Sequence, residues 1–258
     1  MTSRRKEEKM GRGSSKAGGG GGKGKTPSGY TIDDFNKMSA DEKIDTLNNI
    51  IADRNIKVPA YLDDSDTSKV LYALGMDKKP TVVSDDALDK MQGREIFRTV
   101  YEDASCMPPP SSTDITDQIR NGDYTQLSGK GGSAHGRALY FATDFKDSAL
   151  YGSGEKNPVI MRAKINSNAR MADEHQLYVH MRNDNKFDNN IFTSSHADKT
   201  ALYALYSGYD GWYSNYGYEM IINRGVITTS SKNKQIYGKN RFGSTSVAQT
   251  WKSAFDLD

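Results

Sequence analysis

Cysteine, histidine and long apolar runs are all scarce in this 258-residue chain, and each scarcity excludes something. The single cysteine, Cys106, rules out an internal disulfide and fits a reducing compartment. It stands just before Pro108-Pro109-Pro110 with no base close by in sequence, so it is not read as a nucleophile. The four histidines, His135, His175, His180 and His196, lack the paired spacing of a metal site, and no metal is expected. No stretch approaches the ~18 apolar residues of a membrane-spanning helix, so no membrane partner is expected. The N-terminus lacks the apolar run of a secretory signal. Hydrophobic residues make up 35% of the chain, low for a wholly globular protein, and the mean hydropathy is -0.75.

Part of that deficit lies at the front. Residues 1–29 hold nine of the 24 glycines, with eight Lys or Arg against two Glu, a local charge of +6. The whole chain carries +2, so residues 30–258 carry -4, and the mild basicity belongs to the tail. A segment this rich in Gly, Ser and Lys cannot offset the entropy of ordering. It is expected to be a disordered arm that solubilises the chain or touches a polyanion. Within it, "GGGGKGKT" (19–26) satisfies the phosphate-loop pattern G-x-x-x-x-G-K-[ST] in letters only. That motif works because a buried strand precedes it and a helix N-terminus follows; here "SSKAG" and "PSGY" flank it, and the match is rejected.

From Tyr30 the pattern changes. In "MSADEKIDTLNNIIAD", Ser39 stands three residues before Glu42, a capping box, and Ile44, Leu47, Ile50 and Ile51 recur at helical spacing. A second helix is expected over Ser68 to Gly75, with Val70, Leu71 and Leu74 inward, and a third over 84–91. Strand signals dominate after residue 94, in "EIFRTVYE" (95–102), "ALYFAT" (138–143), "PVIMRAKI" (158–165) and "EMIINRGVITT" (219–229), the last broken near Asn223-Arg224-Gly225. Val159, Met161, Ala163 and Ile165 fall on one face by alternation. Helices are expected at 145–152 and 197–207. Strands and helices do not alternate strictly, which favours α+β over a doubly wound parallel sheet. The chain thus divides into a basic tail (1–29), a helical lobe (30–90), a β-rich domain (91–238) and a C-terminal tail segment (239–258).

Three pieces carry candidate chemistry. Arg98 follows Ile96 and Phe97 inside a β-rich segment, where an unpaired charge is costly. It is either a salt-bridged edge residue or a guanidinium fork for a phosphate or carboxylate. In "GRALYFATDFKDSALYG" (136–152), Tyr140 and Tyr151 are either core aromatics or two walls of a pocket. The small residues Gly136, Ala138, Ala142 and Ala149 would leave room there for a flat ring. Third, "YSGYDGWYSNYGYEMIIN" (206–223) crowds tyrosines and one Trp into a Gly/Ser/Asn-rich stretch, read as an exposed loop that grips a partner. It ends at Glu219, at the mouth of an apolar strand.

In this order and spacing, Arg98, then G-R-A-L-Y-F-A-T with S-A-x-Y, then Y-E-M-I-I-N, the chain resembles the mono-ADP-ribosyltransferases, most of all those encoded by bacteriophages. The resemblance covers about residues 94–230. It implies an α+β fold with a split β-sandwich catalytic domain over 91–238, preceded by the helical lobe, and it implies NAD as substrate. Arg98 matches the arginine that holds the NAD diphosphate, with Thr99 beside it. Tyr140 matches the aromatic next to the nicotinamide, with Phe141, Ala142 and Thr143 completing that strand. Ser148 and Tyr151 match the helix-start residues that close the nicotinamide pocket, Gly136 is counted among the NAD-binding residues, Glu219 matches the catalytic glutamate, and Tyr209 to Tyr218 match the loop that meets the target. Toxin-like members carry Ser-Thr-Ser where this chain has Tyr140-Phe141-Ala142-Thr143, a feature closer to the poly-ADP-ribose polymerase relatives. Arginine-modifying members place a second Glu two residues before the catalytic one; here that position is Gly217.

The resemblance implies transfer of ADP-ribose from NAD to a host macromolecule. A host protein is the first expectation for the acceptor, and another side chain than arginine, a nucleobase or water stay open. Two other readings stand beside it, an NAD glycohydrolase and a phage virion protein whose ADP-ribosyltransferase-like domain is inert. The expected location is the phage virion, the host cytoplasm, or both.

Overall fold

Serine, threonine and aspartate punctuate this chain where its helices begin. The computed structural model describes residues 26–102, 111–123, 137–152, 155–193 and 195–235. The tail through residue 25, Cys106, Gly136 and the segment 239–258 lie outside the described residues. Capping boxes open α1 (Ile32–Lys37, Thr31 with Asp34) and α2 (Ala40–Ala52, Ser39 with Glu42). Ser65 caps α3 (Asp66–Ala73), and Ser84 caps α4 (Asp85–Lys90), which follows the short strand β1 (Thr81–Val83). In each case a side-chain oxygen accepts a backbone N–H that the first turn leaves without a partner.

Strand β2 (Gly93–Glu102) precedes α5 (Ser112–Asn121), which a third capping box opens at Ser111 and Asp114. Then come β3 (Leu139–Ala142), α6 (Phe145–Tyr151), β4 (Lys156–Asn166) and β5 (Met171–Asp173). Helices α7 (Glu174–Asn183), α8 (Asn185–Asn190) and α9 (His196–Tyr206) follow, and β6 (Gly211–Ser214), β7 (Tyr218–Ile221) and β8 (Ile227–Gln235) end the described chain. A single 3-10 turn at Arg224–Val226 separates β7 from β8, where the sequence places a break.

The strands form one sheet in the order β1-β8-β4-β2-β3-β7-β6-β5. Only the β1–β8 and β5–β6 pairs are parallel, so the architecture is α+β, as expected. Two apolar clusters cover opposite faces. On one, Phe35, Leu47, Val70 and Leu71 from α1 to α3 pack with Leu202 and Leu205 of α9 against Trp212 and Met220. On the other, Ile96, Met161, Ala163 and Ile165 pack with Leu139, Phe141, Ile221 and Ile119 of α5. The alternation read in 158–165 is therefore the alternation of the sheet.

Helices α1 to α3 share the first of these clusters with the later half of the chain rather than enclosing a core of their own. A buried contact reinforces the union: the Thr67 hydroxyl and amide, at the start of α3, both donate to Asp198 on α9, at 2.7 and 3.1 Å. β1 adds the same segment to the sheet edge, beside β8.

Candidate active site

The sheet is nearly interrupted at its centre. β2 pairs with β4 at nine positions but meets β3 at one, Phe97 opposite Ala142. Arg98 stands at that interruption. Its Nη1 donates to the Tyr140 carbonyl at 2.6 Å, so one guanidinium bridges strands that lack a continuous ladder. Its Nε is enclosed without a hydrogen-bond partner. Burial lowers the guanidinium pKa to about 10, against the favourable charges of Tyr101 and Tyr140, and leaves it cationic at neutral pH. A half-buried cation with an enclosed Nε and a single carbonyl partner contributes little to packing, and such groups concentrate at functional sites.

Glu219 lies in β7 between Phe141 of β3 and Tyr213 of β6 in the ladder. It is 0% exposed, and neither carboxylate oxygen has a hydrogen-bond partner. Arg94 Nη1 comes within 2.9 Å of Oε1, close enough for an ion pair but out of line for a hydrogen bond. The Arg94 guanidinium also lies over the Tyr213 ring, 5.5 Å from its centroid. Burial pushes the Glu219 pKa up to about 7, with the Arg94 charge pulling the other way. In a flat ladder Arg94 would lie roughly 10 Å along β2 from the Phe97–Ala142 pair and two strands from β7. Its contact with Glu219 thus requires the two halves of the sheet to fold towards each other on this face.

The tyrosines form a second group. Thr99 Oγ1 donates to the Ser148 carbonyl at 2.5 Å and lies 3.0 Å from its hydroxyl, which fastens α6 to β2. Ser148, Phe141 and Ala142 are buried; Tyr140 and Tyr218 are half-buried against the α9 side of the sheet. Tyr151 is exposed and meets Tyr218 edge-to-face, with ring centroids 6.1 Å apart. Partial burial of its hydroxyl, together with the Tyr218 contact, pushes its pKa up to about 12.

Side chains alternate along a strand, so these residues divide between two faces. Arg94, Ile96 and Arg98 share one face with Phe141, Tyr213 and Glu219. Tyr140, one ladder position from Glu219 and opposite Met220, shares the other with Thr99, Ala142 and Trp212. The structure therefore brings Arg98 to the backbone of Tyr140, Thr99 to Ser148, and Tyr151 to Tyr218, but it does not bring the Tyr140 ring to the Glu219 carboxylate.

Two further differences from the sequence reading stand out. The aromatic stretch 206–223 is not an exposed loop: it holds the β6–β7 hairpin, Trp212 is 0% exposed, and of its aromatics Tyr216 alone is exposed, at 80%. Its apolar rings alternate into the sheet, and the glycines serve close contacts. A Cβ at Gly211 would meet the Met220 carbonyl at 2.2 Å. Arg94 was not singled out from sequence, although its signal was present: in "REIFR" the two arginines flank Ile96 at period two, hence on one strand face.

Among the described residues no helix is long and apolar enough to cross a membrane, and no group of three or more His, Cys, Asp or Glu is placed to hold a metal ion. Compared with family models, curated proteins and solved structures, the chain matches none.

Proposed function

We propose that the chain is an NAD-dependent ADP-ribosyltransferase with a split β-sandwich catalytic domain, which transfers ADP-ribose to a host protein and releases nicotinamide. The observation that carries this reading is Glu219, a wholly buried mid-strand carboxylate with neither oxygen hydrogen-bonded, on the same face as the half-buried Arg98, whose Nε is enclosed. The sheet supports it too, since β2 and β3 part beside both residues.

Cleaving the bond between nicotinamide and ribose builds positive charge on the sugar. A fixed carboxylate offsets that charge and accepts a ribose hydroxyl, the role of Glu219. Nicotinamide leaves neutral, so the step needs no strong general acid. Arg98 holds the diphosphate and thereby the anomeric carbon where an acceptor can reach it. The wall beside the nicotinamide has two assignments, Tyr140 with Tyr151 beside α6 or Tyr213 beside Glu219. Alanine at each, read as KM for NAD, separates them.

Incubation with radiolabelled NAD and a bacterial lysate tests the activity. Wild type is expected to label protein, and Glu219→Ala to slow nicotinamide release by about 10²–10³. Equal transfer by both, or none by either, overturns the reading. Nicotinamide released without a labelled macromolecule makes the chain a glycohydrolase, and label confined to nucleic acid moves the acceptor. Packaging in a phage virion rests on the resemblance to phage-encoded members, and mass spectrometry of purified particles tests it.

A further inference from the structure

Glu219 poses a problem that the proposed reaction does not solve. A carboxylate wholly out of water is costly unless a charge or hydrogen bonds compensate it, and this one has no hydrogen bonds. On this face of the sheet β2 presents the ionisable groups Arg94 and Arg98 and β6 presents Tyr213, and of these Arg94 makes the ion pair; β3 presents Phe141, and Ile221 is the next same-face residue on β7. Arg94 is 47% exposed at its side chain, so its charge stays hydrated on one side while the other lies against Oε1.

The choice of cation matters. A guanidinium is planar, weakly hydrated and suited to an aromatic face, and Arg94 lies over the Tyr213 ring with its guanidinium carbon 5.5 Å from the centroid. That contact holds it beside the carboxylate in an orientation that makes no aligned hydrogen bond. An ammonium in its place would be a strongly hydrated point charge without that platform.

We infer that Arg94 is a positioning residue: held over the Tyr213 ring, it supplies the counter-charge to the buried Glu219 carboxylate while leaving both carboxylate oxygens without a hydrogen bond, so that both can accept from a vicinal diol such as a ribose. The inference rests on the reading of Glu219 as the catalytic carboxylate, and it adds a second arginine, distinct in task from Arg98. Arg98 binds across the sheet interruption; Arg94 conditions the acid. The expected consequence is that Arg94 sets the pH at which Glu219 ionises and leaves the affinity for NAD largely alone.

The test uses the full chain labelled with 13C at glutamate carboxyls, with the Glu219 signal assigned by its loss in Glu219→Gln. In wild type the signal is expected to titrate near pH 7. In Arg94→Gln the midpoint moves up by a unit or more, because a positive charge that favoured the carboxylate is gone. Arg94→Lys, which keeps a charge but loses the guanidinium over the ring, moves it by less. Nicotinamide release should follow: in Arg94→Gln a midpoint raised by one unit lowers kcat at pH 7 about fivefold, because the wild-type group is half ionised there, and kcat recovers as pH rises, with KM for NAD unchanged. An unmoved carboxyl midpoint in Arg94→Gln overturns the inference, and so does a rise in KM with kcat intact. If no variant and no wild type turns over NAD, the functional reading fails while the carboxyl titration still decides the role of Arg94.

Discussion

Two neighbouring rungs of the same three strands, β3, β7 and β6, are built for opposite purposes. One is Tyr140–Met220–Trp212 and the other Phe141–Glu219–Tyr213. In the first, Met220 and Trp212 are 0% exposed and pack against α9 and the N-terminal helices. The Trp212 Nε1 has no hydrogen-bond partner there, a loss of about 1–3 kcal/mol. The ring buries roughly 150–250 Å², about 4–6 kcal/mol of apolar transfer, so the net still favours folding. In the second rung Phe141 is buried as well, but the central group is a buried carboxylate with no hydrogen bond, a cost the first rung does not carry. One residue of offset separates a rung that stabilises the fold from a rung that the fold stabilises at its own expense, as functional sites require.

The largest expected effect breaks the first rung. Trp212→Ala should lower stability by about 3–5 kcal/mol in chemical denaturation, since a fully buried indole leaves a cavity in the larger cluster. Trp212→Phe, which removes the unpartnered N–H together with one ring, should lose far less. A small loss in the Ala variant would mean that the rung is not core. The second rung should respond to pH instead. Burial raises the Glu219 pKa from 4.5 to about 7, so between those values the folded protein holds a proton that the unfolded chain has released. Stability therefore falls as pH rises through that window, and the whole penalty, about 3 kcal/mol, is present above pH 7. Measured against wild type, the Glu219→Gln variant should gain about 3 kcal/mol between pH 4.5 and pH 8. A difference independent of pH would show that Glu219 is not held in a raised state.

How far these rungs could be read from sequence depends on the range of the interaction. Local signals were clear: Ser39 and Glu42 cap α2 as read, α6 spans Phe145–Tyr151 within the expected 145–152, and β4 alternates as its residues say. Helices α1, α5, α7 and α8 were not read. In 174–190 the buried Leu177, Met181 and Phe187 are spaced among Asn and Asp, residues that favour caps and turns, and Asp184 indeed caps α8. Strands of three or four residues, such as β1, β5 and β6, are too short to show a period. The site was half legible. Arg98, Tyr140 and Glu219 could be named from their order in the chain, but the face each occupies depends on cross-strand register, which no local pattern encodes. A slip of one residue between β3 and β7 would put Tyr140 in place of Phe141 beside Glu219.

Smaller effects test the hairpin that carries the second rung. Gly217 closes it at φ +84°, a left-handed conformation, and its carbonyl accepts from the Thr143 amide at 2.9 Å. The nearest atom to an added Cβ is the Thr143 hydroxyl at 3.4 Å, so Gly217→Ala meets strain rather than a clash. The expected loss is about 1–2 kcal/mol in denaturation. A larger loss would show that the turn also sets the β6–β7 register on which the placement of Glu219 depends.

The smallest effect on stability belongs to Tyr216, at the tip of that hairpin. Its ring is 80% exposed, so Tyr216→Ser should shift stability by less than about 0.5 kcal/mol. Its value lies in the contrast with Trp212, four residues earlier, because the two rings of one aromatic stretch then separate cleanly into core and surface. If Tyr216 meets the acceptor, as its place beside the proposed site suggests, Tyr216→Ser should reduce labelling of protein several-fold while nicotinamide release in the absence of acceptor stays unchanged. Equal loss of both would put Tyr216 in the NAD site. Loss of neither would leave the acceptor to be gripped by Tyr151 and Leu150, the exposed pair on α6.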